Sequence, residues 1–142
     1  ETAKAQADAQ VSERNAREKA ELMRQLGMDE GESATKASRT MIRQLEEDQK
    51  RRSKRALTDA IDRALIDLLA IYRDVLMVQV GGDGELINTD LSDLVHEIAQ
   101  DSAPRQTLAR VDHIETARKR LVSNGNPLLV LEDMAISLRP QA

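Results

Sequence analysis

The chain has 142 residues, about one average domain, and carries 21 Lys+Arg against 25 Asp+Glu, a formal charge of -4 that supplies no global basic field for nucleic acid. One Tyr with no Phe or Trp excludes aromatic platforms for bases or sugars, and the absence of Cys excludes disulfides, thiolate zinc sites, iron–sulfur clusters and a thiol nucleophile. No apolar run of about 18 residues and no signal-type segment occurs, so a soluble chain with no membrane role is expected, compatible with a reducing cytoplasm.

The chain opens on Glu1 already in helical register and reads as a piece of a longer protein. Strand patterns are nearly absent and strong helix formers dominate, which predicts an all-α fold of five helices. The first runs from about Ala3 to Leu26 and stops at Gly27. Gly31-Glu32-Ser33 reads as a turn, with Ser33 or Thr35 able to cap the next helix. From Glu32 to Val80 there is neither Gly nor Pro, which predicts one continuous helix longer than a small domain is wide, protruding from its bundle. Gly81-Gly82-Asp83-Gly84 ends it. Asn88, Thr89 and Asp90 are N-cap candidates for a third helix, Leu91 to Asp101. Ser102 followed by Pro104 opens a fourth, to about Ser123. Asn124-Gly125-Asn126-Pro127 supplies a Gly cap, an Asn N-cap and a first-turn Pro for a fifth, ending near Leu138.

Two regions are expected, a helical hairpin arm at 1–55 and a bundle at 56–142. Residues 1–55 hold 13 Lys+Arg and 11 Asp+Glu, net +2, whereas 56–142 hold 8 and 14, net -6, together with nearly all the Leu, Ile and Val. Leu57, Ile61, Leu65, Leu68, Leu69, Tyr72, Val75 and Leu76 recur at three- and four-residue spacing. Ile66, Ala70, Ile71, Met77 and Val78 extend that stripe almost all round, as in a buried spine helix. Leu91, Leu94, Val95 and Ile98, then Leu108, Val111, Ile114 and Leu121, then Leu128, Leu131, Met134 and Leu138 are expected to pack on it. Upstream, Glu46/Lys50, Glu47/Arg51 and Asp48/Arg52 form acid-before-base pairs four apart. Met41, Ile42 and Leu45 are placed to meet Leu22, Met23 and Leu26 across an antiparallel hairpin, or a second copy of the chain.

No catalytic constellation emerges. The Gly81–Gly84 cluster has no following Lys and leaves a helix rather than entering one, unlike a phosphate loop. His96 and His113 lack the HExxH or paired Glu-x-x-His spacing of metal helices and read as surface residues. Asp59, Asp62, Asp67 and Asp74 read as a solvated stripe along the long helix, and Tyr72 as a ring packed in the bundle. Catalytic, cofactor and metal residues are therefore all expected to be none. The basic run Lys50, Arg51, Arg52, Lys54 and Arg55 could meet phosphates or an acidic partner, giving a second reading as a helical nucleic-acid-binding module. The three preceding acids neutralise much of it, and a solvated helical face is the favoured reading.

Tyr72-Arg73-Asp74-Val75-Leu76, then Leu86-Ile87-Asn88-Thr89-Asp90, then Leu121-Val122-Ser123-Asn124 with Leu128, Leu131-Glu132 and Met134 are, in order and spacing, similar to one known family. They resemble the C-terminal collar domain of the delta-prime subunit of the bacterial DNA polymerase III clamp loader, over roughly residues 56–139. The stretch before it resembles an insertion found in actinobacterial members. The resemblance implies a five-helix collar-like bundle with a long spine helix and a protruding antiparallel helical arm. It implies assembly with tau/gamma and delta clamp-loader subunits, a bacterial cytoplasmic location, and contact with DNA and sliding clamp only through the complex. The family's ATPase-like domains and zinc-binding cysteines have no counterpart in this sequence, so no catalytic residue transfers and no chemistry is expected of this chain. Tyr72, Arg73, Asp74, Asn88, Asp90, Asn124 and Glu132 are the candidate partner-interface residues.

Overall fold

Several of the helix ends among the described residues carry a local device that satisfies otherwise orphaned terminal groups. The computed structural model describes residues 2–28 and 35–139. Among them are five α-helices, α1 (Thr2–Gln25), α2 (Lys36–Gln79), α3 (Ser92–Asp101), α4 (Pro104–Val122) and α5 (Pro127–Ser137), with a 3-10 turn at Thr89–Leu91 and no strand. The chain divides into two compact units, Glu1–Ala56 and Leu57–Ala142. The expected Gly31–Ser33 turn lies outside the described residues.

α1 stops in a Schellman arrangement. Gly27 takes φ 66°, its N–H bonds the Arg24 carbonyl at 3.0 Å, and the Met28 N–H bonds the Met23 carbonyl at 3.0 Å. Gly81, also at φ 66°, ends α2 in the same way, with Gly81 to Val78 at 3.2 Å and Gly82 to Met77 at 3.0 Å. Thr35 starts α2, its hydroxyl accepting the Ser38 N–H at 3.1 Å. Asn126 caps α5 through Leu128 N–H at 3.0 Å, and Pro127 fills the first turn.

Three terminal expectations change. The left-handed residue after α4 is Asn124, at φ 63°, and not Gly125. Gly125 is required for space instead, because a Cβ there would lie 2.7 Å from the Arg120 carbonyl oxygen. The N-cap of α4 is Ala103, whose N–H is held by Gln106 Oε1 at 2.9 Å, while the Ser102 hydroxyl turns back to the Ile98 carbonyl at 2.7 Å. The Asn88 side chain makes no cap bond, and α3 begins after Leu91 without a side-chain cap.

In the first unit the half-buried positions Asn15, Glu18, Lys19, Leu22 and Met23 of α1, continued by Leu26 just after it, form one stripe, and buried Ser38 with half-buried Ile42, Leu45, Glu46 and Gln49 form another on α2. Lys19 donates to Glu46 at 2.6 Å, and Gln49 to the Asn15 carbonyl at 3.0 Å and to Glu18 at 3.2 Å, so the hairpin is antiparallel. Met41 is exposed, contrary to the expected apolar zip. In the second unit Leu65, Ile114, Ala117, Leu121 and Val130 form the core, with Ile61, Leu68, Leu69, Tyr72, Leu131, Met134 and Leu138 packed around it. The spine helix is not covered on every side. Leu57 and Ile66 face solvent, as do Leu94, Leu108 and Leu128, which the apolar spacing places inward.

The turn after α4 gives a direct test. Asn124→Gly is expected to leave stability unchanged or raise it by up to about 1 kcal/mol, because Gly adopts positive φ without a Cβ penalty. Gly125→Ala is expected to cost about 1–3 kcal/mol from overpacking. Urea unfolding of both variants checks the assignment, and the opposite order would refute it.

Candidate functional site

The resemblance-bearing residues Arg73, Asp74 and Asn88 come together on one carboxylate. Asp74 lies on the inner face of α2 beside Val75 and is 0% exposed. Its Oδ1 accepts the Ile87 N–H at 3.1 Å and an Arg73 guanidinium hydrogen at 2.8 Å. Its Oδ2 accepts the Asn88 N–H at 2.8 Å and the Asn88 side-chain amide at 2.9 Å. Arg73 also donates to the Glu85 carbonyl at 3.1 Å, so the two residues grip the loop at 85, 87 and 88. Asp74 is therefore an interior tie and not part of the solvated stripe. Burial, the largest single influence, pushes its pKa up. The Asn88 and Ile87 backbone N–H groups, then Arg73 and the Asn88 amide, outweigh it and hold the carboxyl at about 2, below the ordinary 3.8.

A second polar tie lies five residues on. Gln79 donates to the Ser102 carbonyl at 2.6 Å and the Ser102 hydroxyl at 3.1 Å, and accepts from the buried Thr107 hydroxyl at 2.8 Å. Apolar periodicity does not reveal Gln79. Thr107, a polar residue in register with Ile114 and Leu121 on the buried face of α4, is the signal that a partner is needed. Asp62 differs from its expected place as well. Arg118 donates to both of its oxygens, at 2.7 and 3.1 Å, and this bond holds the carboxyl below its usual range.

The other candidate residues stand apart from Asp74. Tyr72 packs against the core with the Arg110 guanidinium 6.0 Å from its ring centre. Asp90 and Glu132 are exposed, and Asn124 serves its turn. His96 is exposed, its Nδ1 2.8 Å from the Ser92 carbonyl, and His113 is exposed on α4. Among the described residues no group of three or more His, Cys, Asp or Glu could hold a metal ion, and no helix is long and apolar enough to cross a membrane.

The basic run pairs differently from its expected i,i+4 ladder. Glu46 bonds Lys19, Glu47 bonds Arg43, Asp48 bonds Arg51 three residues on, and Arg52 reaches Glu18 on α1. Leu45, Asp48, Arg51, Arg52 and Arg55 line a shallow concavity of about 400 Å³. Arg51 and Arg52 thus meet carboxylates of the chain itself, which reduces the positive field that Lys50, Lys54 and Arg55 present with them.

The pKa of Asp74 makes stability depend on pH. A carboxyl depressed on folding stabilises fully above its unfolded value and loses that contribution as pH falls through the folded one, here from about 4 to about 2. The shift corresponds to about 2 kcal/mol at neutral pH. Asp74→Asn is expected to cost about 2–4 kcal/mol at pH 7 and to flatten the loss of stability across that window. Denaturant unfolding as a function of pH checks it, and an unchanged acid slope in the variant would contradict the assignment.

Comparison with known proteins places this arrangement. Residues 34–139 match the family described as DNA polymerase III, delta subunit, C terminal. DNA polymerase III subunit delta' of Bacillus subtilis (strain 168) is 35% identical over 72 residues, covering 51% of this chain and 22% of that protein. The chain therefore spans about a fifth of that relative's length. No solved structure matches. The family match takes in Asp74 and both of its loop partners, and the chain belongs to this DNA polymerase III family, as a C-terminal domain of delta-prime type.

Proposed function

We propose that this domain is an assembly element of the bacterial DNA polymerase III clamp loader. It packs through helical faces against tau/gamma and delta subunits in the cytoplasm, performs no chemistry itself, and reaches DNA and the sliding clamp only through the complex. The observation that carries this reading is the state of α5, the most apolar of the five helices. Only Val130 of it is fully buried, while Leu128, Leu129 and Ile136 are 65%, 61% and 62% exposed. A helix apolar on every side is normally covered on every side, and removing each such side chain from water stabilises by about 1–2 kcal/mol. Leu129 and Ile136 lie seven residues apart on one face, with Glu132 beside them. Exposed Val122, at the end of α4, adds a further apolar side chain for a neighbour to cover. The internal pairing of Arg51 and Arg52 makes nucleic-acid binding by the basic run the weaker reading.

The test is assembly with the partner proteins. The chain mixed with the C-terminal domains of tau/gamma and delta is expected to give a mixed complex by size-exclusion chromatography with light scattering. Leu129→Glu plus Ile136→Glu should abolish it while the melting temperature of the chain alone moves by only a few degrees, since both sites are exposed. An intact complex with the double variant would refute this face as the interface.

A further inference from the structure

Between α4 and the end of α5 lies a hollow of about 70 Å³, lined by Gln106, Ala109, Arg110 and His113 with Ser137 and Arg139. A water needs about 10–15 Å³ of such space, so the hollow takes one oxyanion of a few heavy atoms. Gln106, Arg110 and His113 follow at four- and three-residue spacing on one face of α4. Arg110 is half-buried, with its guanidinium held 6.0 Å from the centre of the Tyr72 ring. Gln106 spends its side-chain oxygen on the Ala103 N–H at 2.9 Å, which leaves its amide hydrogens to donate. His113 offers a ring N–H in either charge state, and Arg139 a second guanidinium. None of these donors meets an acceptor among the described residues, and no carboxylate is among the described residues that line the hollow.

This runs against the charge balance of the second unit. Residues 56–142 hold 14 acids against 8 Lys+Arg, and Arg73, Arg118, Lys119 and Arg120 each have a carboxylate partner. Arg110 and Arg139 have none among the described residues, and both come to the same hollow. The adjoining hollow of about 190 Å³ shares His113 and Ser137, and there Arg120 is answered by Asp133. One part of the groove thus draws its anion from the chain itself, and the other has cations and donors with no anion to meet them.

We propose that the hollow at Arg110, His113 and Arg139 binds the phosphate group of a small molecule. Its oxygens accept from the two guanidinium groups, one on each side of the groove, and from the His113 ring and the Gln106 amide. A phosphate suits donors that converge from two elements better than a planar carboxylate does, since it brings more oxygens and up to two charges. The site is separate from the assembly reading, which concerns Leu129 and Ile136 on the outer face of α5. The test titrates the full chain with inorganic phosphate at constant pH and ionic strength, followed by NMR of the side-chain N–H groups. Saturating shifts are expected at Arg110, His113, Arg139 and the Gln106 amide, and phosphate should raise the melting temperature. Arg139→Gln, at an exposed position, is expected to weaken binding by about tenfold or more and to melt, without phosphate, at an unchanged temperature. His113→Ala should weaken it in the same sense, so the result does not hang on the folding of one variant. Arg63→Gln, which does not line the hollow, should change the affinity by less than about twofold. Undiminished affinity in Arg139→Gln, an equal response to acetate, or non-saturating shifts spread over other cations such as Arg63 and Lys119 would each overturn the proposal.

Discussion

The carboxylate of Asp74, out of contact with water, is the constraint on which the described surface of the second unit depends. An ion in that position is costly to bury and is tolerated only where enough donors surround it. Here four N–H groups from Arg73, Ile87 and Asn88 supply them. Because two of those donors are backbone amides of the following loop, the ion's need for partners becomes a restraint on the chain's path. The loop cannot drift from α2 without leaving a buried charge exposed to an apolar interior. Gln79 and Thr107 repeat the logic with neutral groups at the turn into α4.

This explains how a second unit with few fully buried side chains holds a definite shape. Its core cluster has five members, Leu65, Ile114, Ala117, Leu121 and Val130, and lacks aromatic bulk apart from the flanking Tyr72. The polar ties and the Asp62–Arg118 pair fix where helices meet, and the Schellman turns fix where they stop. Leu57, Ile66, Leu129 and Ile136 are then left over, apolar side chains that the fold itself does not cover. In a domain of the delta-prime C-terminal family, a surplus of this kind fits an element whose burial is completed by other chains.

Much of the helical plan is legible because its signals are local. Gly27, Gly81, Asn126 and Pro127 act within one turn of the backbone, and helix ends read from them fall within a residue or two of those observed. Side-chain partnerships across helices are not legible. Four-residue spacing shows which charges share one helix, so it assigns Glu46 and Arg52 to neighbours along α2, whereas both reach to α1. Asn88 reads as a cap because Asn commonly serves there, and its actual partner is fourteen residues upstream. At Asn124-Gly125 glycine is the natural candidate for the left-handed position. The close approach of the Arg120 carbonyl takes up the glycine, and Asn, the next most tolerant residue, adopts the positive φ. The resemblance offers Arg73, Asp74 and Asn88 only as candidate interface residues, and neither it nor any periodicity predicts that they meet at a buried carboxylate.

The most direct test of the central claim is native-state hydrogen exchange at the Ile87 and Asn88 amides. If their N–H groups are held by a buried Asp74 carboxylate, both exchange only through the opening that releases core amides such as Val75 and Ile114, and are protected to a similar degree. Exchange at the rate of an open loop, with the core still protected, would contradict the account. It would mean that the loop at Ile87 and Asn88 is not fastened to α2.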